Sequence, residues 1–538
     1  MGHSRARTLG RVYGRCLLAL GLTMMAVLLA PTRGAAETVA LSIDTSAAGA
    51  KIDRNLFGQF AEHLGHGIYE GVWVGPDSSI PNTRGIRNDV VAALKALKVP
   101  NVRWPGGCFA DEYHWRNGVS PRAVTLNPNW GGVTEPNRFG THEFMDFLEQ
   151  IGSQAFVSIN VGSGTPQEAA EWLEYMTTAQ PTALAAERAA NGRPDPWSVP
   201  FLGIGNESWD CGGNMTPDYY LSQLKIYSRF VRNFNPAQQE GARRMLKVAV
   251  GPGGDGPRWT EWTETIMKAW QGHTWSWDID GLSLHNYTVV RWPPAYESTR
   301  FGEKEYAEIL QSTLQMDSII KTHSAIMDKY DPEKKVALIV DEWGAWYAPL
   351  PGSHPGFLVQ QNSLRDAVLA ALNLNIFARH ADRVRGANIA QMVNVLQAMI
   401  MTDEEKMILT PTYHVFRMYV PFQDATFVPV RFDAGTYAHG EITLPRLDSI
   451  AAKDAAGRVW LALTNLDPAR PVTVEARLPG LVPRSAAGET LTAARVDSIN
   501  TFEAPETVAP KPIAAEVEGP VLTLALEPKS VTVISVEP

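Results

Sequence analysis

The chain has 538 residues, 45% hydrophobic and 20% charged, with a formal net charge of -9. That length exceeds one minimal domain and accommodates a barrel with one accessory domain, and the composition is that of a soluble globular enzyme. The acidic balance excludes nucleic acid and anionic membrane as partners, since both need clustered Lys and Arg.

Residues 1–36 read as a signal peptide. Arg5, Arg7, Arg11 and Arg15 form a basic start, Cys16 to Ala30 is apolar, and Gly34-Ala35-Ala36 offers small residues before Glu37. The apolar run is short of the roughly 20 residues a membrane span requires. This pattern predicts export, to a periplasm or outside the cell. Residues 37–54 follow, and their strand-like start at Glu37–Ile43 is expected to join a later β-sandwich.

From 55 to 423 apolar strand segments alternate with amphipathic helix segments, which predicts an α/β (β/α)₈ TIM barrel. Eight strands are expected to end near Gln59–Glu62, Arg103–Gly107, Asn160–Gly162, Asn206–Glu207, Gly251–Gly254, His285–Tyr287, Asp341–Glu342 and Asn394–Gln397. Thr165-Pro166-Gln167-Glu168 has the form of a capping box with Pro at the first helical position. After 424 the pattern becomes short alternating runs, at Gly440–Leu444, Val459–Thr464, Val472–Leu478 and Val531–Val536. With a hairpin turn at Asp454–Gly457, this predicts an antiparallel β-sandwich over 424–538.

Only Cys108 and Cys211 lie beyond residue 36. Two cysteines make neither a disulfide framework nor a zinc site, so the expectation is two free, largely buried thiols, with a single bridge left open by export. Gly251 to Gly256 is glycine-rich but lacks the Lys-Ser/Thr of a phosphate loop, and no His-Glu-x-x-His occurs. The sequence therefore calls for no cofactor and no metal.

Chemistry concentrates in two glutamates. Glu207 ends the apolar run from Pro200, and Glu342 ends the run from Val336. Barrels present catalytic groups at strand C-termini, and glycoside hydrolysis needs a pair of carboxylates. Strands four and seven of eight stand nearly opposite, so both side chains can reach the barrel axis. The acid must stay protonated, which suits Glu207 beside Asn206 and Trp209. The nucleophile must stay ionised, with Arg103, Tyr287 and His285 as candidate donors to Glu342. Asp341 is expected to face the other side of its strand in a structural role. Of sixteen Trp only Trp460 lies after residue 346, and aromatic faces suit sugar rings. Two other readings stay open: a different retaining glycosidase, such as an endoglucanase or xylosidase, and a non-catalytic carbohydrate-binding protein.

Longer motifs carry a resemblance. They include Phe57-Gly-Gln-Phe-Ala-Glu-His-Leu64, Arg103-Trp-Pro-Gly-Gly-Cys-Phe-Ala-Asp-Glu-Tyr-His-Trp115, Asn129-Trp-Gly-Gly132, Gly205-Asn-Glu207, His285-Asn-Tyr287, Asp341-Glu-Trp-Gly344 and Asn394-Val-Leu-Gln397. In collinear order from 55 to 423, they resemble glycoside hydrolase family 51, chiefly α-L-arabinofuranosidases. The resemblance implies a retaining, exo-acting enzyme that releases terminal non-reducing α-L-arabinofuranosyl residues from arabinan, arabinoxylan or their oligosaccharides. It implies Glu207 as acid/base and Glu342 as nucleophile. It also implies Glu62, Cys108, Asn206, Tyr287 and Gln397 as contacts to the sugar, and Arg103 as support for the nucleophile. Family members are often oligomeric, which would make this chain a homo-oligomer. One departure is that Ser208 and Asp210 stand where Asn and Gly are more usual, and Asp210 is expected either to raise the pKa of the acid or to alter the leaving-group side.

Overall fold

In the computed structural model, which describes residues 37–537, a strand β1 (Glu37–Ile43) precedes eight strands that close a parallel barrel. These are β2 (Gly58–Phe60), β3 (Asn101–Trp104), β4 (Gln154–Ile159), β5 (Phe201–Ile204), β6 (Leu246–Ala249), β7 (Gly281–Thr288), β8 (Ala337–Ala345) and β9 (Val384–Ile389). Each pairs with the next in sequence, and β9 returns to β2 with Asn388 opposite Gly58. The strands are largely buried because helices cover their outer face and side chains fill the interior; all nine residues of β8 are buried. Phe156, Phe201, Val248, Ala337 and Ile339 form a cluster drawn from four strands, leaving the strand C-termini for polar groups.

Helix starts follow their local chemistry. Thr165 caps the helix Pro166–Thr177 by accepting from the Glu168 N–H, and Pro166 occupies the first turn where a missing N–H costs nothing. Thr216 and Pro217 repeat the device for the helix Pro217–Phe230.

The eighth barrel strand ends earlier than its sequence suggests. β9 stops at Ile389, whereas the apolar pattern runs on to Gln397. Met392, Val393, Val395, Leu396 and Met399 are buried, but in an irregular loop. That loop is fastened by Met392 N–H to the Phe60 carbonyl (3.0 Å) and Met399 N–H to the Met392 carbonyl (3.0 Å). A buried loop and a buried strand look alike in hydropathy.

Beyond residue 425 come β10 (Thr426–Val428), β11 (Val430–Phe432), β12 (Leu447–Lys453), β13 (Val459–Asn465), β14 (Val472–Arg477), β15 (Ser485–Leu491), β16 (Lys511–Glu518), β17 (Val521–Leu526) and β18 (Ser530–Glu537). With β1 they form one ten-stranded sheet in the order β10-β12-β13-β18-β15-β16-β17-β14-β1-β11. Every pairing is antiparallel except β1 with β14. Its two halves share one apolar cluster containing Leu41, Leu461, Val474, Leu524 and Ile534. The stretch Gly440–Leu444 joins no part of that sheet; Ile442–Pro445 pairs only with Thr436–His439 in a separate hairpin. At Asp454–Gly457 the chain turns as expected, with Asp454 accepting from Ala456 and Arg458 and Gly457 at φ 84.

The sheet packs directly on the barrel. Tyr306 donates to the Leu466 carbonyl (2.9 Å), and Asn375 and Arg379 both donate to Asp448 (2.8 Å each). Residues 1–36, including the stretch read as a signal peptide, lie outside the described residues.

Candidate active site

The C-terminal ends of β2, β3, β5, β7 and β8 bring Glu62, Arg103, Asn206, Glu207, His285, Tyr287, Asp341 and Glu342 together. Arg103 on β3 is the hub. It is 1% exposed, donates from Nη1 to Glu342 Oε1 (2.8 Å) and from Nη2 to Asn206 Oδ1 (2.6 Å), and places Nε 3.3 Å from Asp341. Its guanidinium also lies over the Phe60 ring. A planar fork satisfies several acceptors at once, as Lys could not. Asp341 is therefore buried in the same network, held ionised by Arg103 and His285 against the cost of burial.

Glu342 is fixed by two donors, Arg103 and the Tyr287 hydroxyl (2.8 Å to Oε2). Both hydrogen bonds are made to the charged form, which stabilises it. Gly107 explains part of the Trp-Pro-Gly-Gly-Cys motif: a Cβ there would stand 2.8 Å from Glu342 Oε1. Gly106 is similarly confined, 2.7 Å from Glu62 Cγ.

Glu207 follows β5 on a tight turn. Gly205 has φ 90, and Glu207 itself has φ 37, a left-handed conformation that costs a non-glycine residue on the order of 1–3 kcal/mol. Its pKa is raised, foremost by burial, with Glu342 and Asp210 adding negative charge nearby. His285 opposes this, its Nδ1 lying 2.8 Å from Glu207 Oε1. The imidazole was expected to serve Glu342, but that carboxylate is farther, at 3.5 Å. Burial would discharge the ring, yet Glu342 and Asp341 outweigh it and push its pKa up to about 10, so His285 is a cation between the two glutamates. Oxygens of Glu207 and Glu342 lie within 4.8 Å of each other and of a His285 nitrogen.

Glu62 closes the other side. It accepts from the Gly107 and Phe109 N–H groups (3.1 and 3.0 Å), from Trp130 Nε1 (2.9 Å) and from Gln391 Nε2 (2.8 Å). Burial first, then the Glu342 charge, lifts its pKa to about 7. Behind the site, Asp111 accepts from the N–H groups of Val161, Gly162 and Asn206 (2.7, 2.7 and 3.0 Å), tying three strand ends together.

Glu62, Cys108, Glu207, Tyr287 and Glu342 line one pocket, with Trp130, Trp346, Leu358, Gln391 and Leu396. Asn206 is buried beneath it on Arg103. A larger cleft elsewhere, lined by Arg417, Trp460 and Glu489 among others, has Glu489 as its one acidic lining residue. Gln397 is corrected: it is fully buried behind β8, accepting from the Ala345 N–H (2.8 Å) and donating to Thr412 (3.2 Å). The glutamine in the pocket is Gln391, two residues past the true end of β9. The early strand end is the reason for the error. Trp130, by contrast, stood in a quoted motif and was legible.

The cysteines are corrected too. Cys108 and Cys211 are bridged, with S–S 2.13 Å and Cα–Cα 5.5 Å, and both are half-buried. The loops after β3 and β5 meet at the mouth, which brings residues 103 apart in sequence within bridging distance. Cys211 Sγ lies 3.8 Å from Glu207 Oε2.

Comparisons with known proteins find relatives along most of the chain. The Alpha-L-arabinofuranosidase 1 domain matches residues 93–244, and the Alpha-L-arabinofuranosidase C-terminal domain matches residues 341–530. The intracellular exo-alpha-L-arabinofuranosidase of Bacteroides ovatus is 42% identical over 96% of this chain and 100% of its own length. The intracellular exo-alpha-(1->5)-L-arabinofuranosidase of Streptomyces lividans is 30% identical over 92% of this chain and 74% of its own. Among solved structures, the GH51 arabinofuranosidase from Xanthomonas axonopodis pv. citri superposes with a TM-score of 0.89 at 53% identity, covering 93% of this chain and all of its own. Both named relatives are intracellular, which overturns the exported localisation and the signal peptide expected from residues 1–36. A basic, then apolar, composition does not by itself specify a destination.

Proposed function

Because this chain belongs to the α-L-arabinofuranosidases of glycoside hydrolase family 51, we infer that Glu207 and Glu342 together carry a retaining, exo-acting hydrolysis of terminal α-L-arabinofuranosyl residues. The substrates are arabinose-containing glycans such as arabinan, arabinoxylan and their oligosaccharides. One observation carries the division of labour. The two carboxylates sit within 4.8 Å at their nearest atoms but have different partners. Retaining glycosidases hold their pair about 5–5.5 Å apart, whereas inverting ones leave about 6.5–9.5 Å for a water.

Glu342 receives two charge-assisted hydrogen bonds, so it is the ionised nucleophile. It attacks the anomeric carbon as the glycosidic C–O bond breaks. Glu207, its pKa raised by burial, gives its proton to the leaving oxygen. The products of this step are the free alcohol and an arabinosyl ester on Glu342. Glu207, now a carboxylate beside the His285 cation, takes a proton from water, which attacks the same carbon and releases arabinose with retained configuration. Glu62, Tyr287, Gln391 and the Cys108–Cys211 bridge are the groups placed to surround the sugar. The pocket around the two glutamates is small and favours a chain end over a mid-chain segment, so endoglucanase action is not favoured.

The test is hydrolysis of an aryl α-L-arabinofuranoside, with aryl β-xyloside and β-glucoside alongside. Turnover confined to the arabinofuranoside, its first-formed arabinose retained by proton NMR, and loss of that turnover in Glu342→Ala are expected. Turnover of a β-glycoside instead, or an inverted first product, overturns the reading.

A further inference from the structure

We propose that Trp292 forms a binding subsite for a second sugar ring of the leaving group, reached from the catalytic pocket along an aromatic ladder. The proposal rests on the arabinofuranosidase reading above. Its foundation is a continuous run of rings. Tyr287, which holds Glu342, packs edge-to-face on Trp346, with centroids 5.0 Å apart at 74°. Trp346 lines the pocket and packs edge-to-face on Trp292, 5.1 Å apart at 79°. Trp292 in turn is 66% exposed. The ladder therefore starts at the nucleophile and ends in solvent.

An exposed Trp ordinarily costs free energy, because its large apolar surface faces water. Here the ring is also held in place. The segment after β7 is fastened at one end by the Trp346 N–H on the Thr288 carbonyl (3.3 Å), and further on by the Ala348 N–H on the Tyr296 carbonyl (2.9 Å). Arg365, fully buried, donates to the Ser298 carbonyl (3.4 Å). Anchored on both sides, Trp292 is a preorganised platform, and preorganisation lowers the entropic cost of binding.

The occupant follows from the direction of the ladder. An exo-acting pocket holds only the terminal arabinofuranosyl unit, so whatever extends outward is the leaving group. Trp346 at the rim would meet its first ring. Trp292, one ring further out, would meet the next furanose or pyranose through its apolar C–H face. Small aryl leaving groups do not reach that far.

The test compares kcat/KM for unmodified enzyme, Trp292→Phe and Trp292→Ala on two substrates: an aryl α-L-arabinofuranoside, and an arabino-oligosaccharide of at least three units. In a retaining enzyme kcat/KM reports steps up to departure of the leaving group, so it senses the subsite. Trp292→Ala is expected to keep its aryl activity and to lose roughly three- to tenfold on the oligosaccharide, with Phe intermediate. Equal loss on both substrates, or no loss on either, overturns the subsite. Failure of the unmodified enzyme on the aryl arabinofuranoside would instead overturn the underlying activity, so the two failures are distinguishable.

Discussion

At the scale of single residues, the chemistry depends on keeping two neighbouring carboxylates in different protonation states. In the proposed roles, burial raises the pKa of Glu207, while Glu342 is held by direct hydrogen bonds from Arg103 and Tyr287. With Glu207 as the proposed acid, the alkaline limb of the pH profile of kcat/KM is expected to be the loss of its proton, shifted upward from the ordinary carboxylate value. Glu207→Ala should slow aryl arabinosides with poor leaving groups far more than activated ones. It should also remove the alkaline limb for the activated ones, because they need no protonation. A limb that persists unchanged in the variant would assign the titration to another group. Asp210 contributes to raising Glu207, as its unusual place in the sequence suggested, but its effect is smaller than burial or Glu342. The local sequence did not show His285 beside Glu207; the residues are 78 apart and meet only because β5 and β7 face the same axis.

At the scale of elements, the end of β9 decides which glutamine serves the site. Gln391 donates to Glu62 in the pocket, whereas Gln397 joins β8 to Thr412 behind it. Gln391→Ala removes a donor to a buried carboxylate, an interaction worth about 1.5–3 kcal/mol, so kcat/KM should fall roughly 10- to 100-fold with little change in melting temperature. Gln397→Ala should do the reverse: it strands a buried N–H and costs about 1–3 kcal/mol of stability, with KM preserved. Parallel kinetics and thermal melts of the two variants check this, and a swapped result would restore the later strand end. The Cys108–Cys211 bridge belongs to the same scale, since it joins the loops after β3 and β5 beside Glu207.

At the scale of the whole molecule, the first described strand and the C-terminal strands are built into one sheet. β1 is inserted between β14 and β11, with Leu41 opposite both Ala476 and Phe432 and only 1% exposed. The sheet in turn is hydrogen-bonded to barrel helices through Leu466 and Asp448. Leu41→Ala is expected to cost about 2–5 kcal/mol by leaving a cavity in the sheet core. The loss should appear as a lower melting temperature for the whole chain, while kcat/KM below the transition stays unchanged because the site lies on the barrel. An early, separate transition with an intact barrel would show that the two parts unfold independently.

The sequence by itself determined the barrel, its order of strands, the antiparallel domain that follows and the two glutamates. Each of these is written in neighbouring residues: apolar runs that end in polar ones, helix caps, and turn residues at regular spacing. Long motifs added the family. Tertiary structure decided what depends on distance between remote segments. It placed the His285 cation between the carboxylates, brought Cys108 to Cys211, admitted Gln391 and excluded Gln397, and turned Tyr287, Trp346 and Trp292 into one ladder. The physical reason is common to all four. Hydropathy records whether a residue is buried, but a carboxylate's proton, a cysteine's partner and a ring's neighbour are set by atoms within a few ångströms, contributed by strands that are distant in sequence.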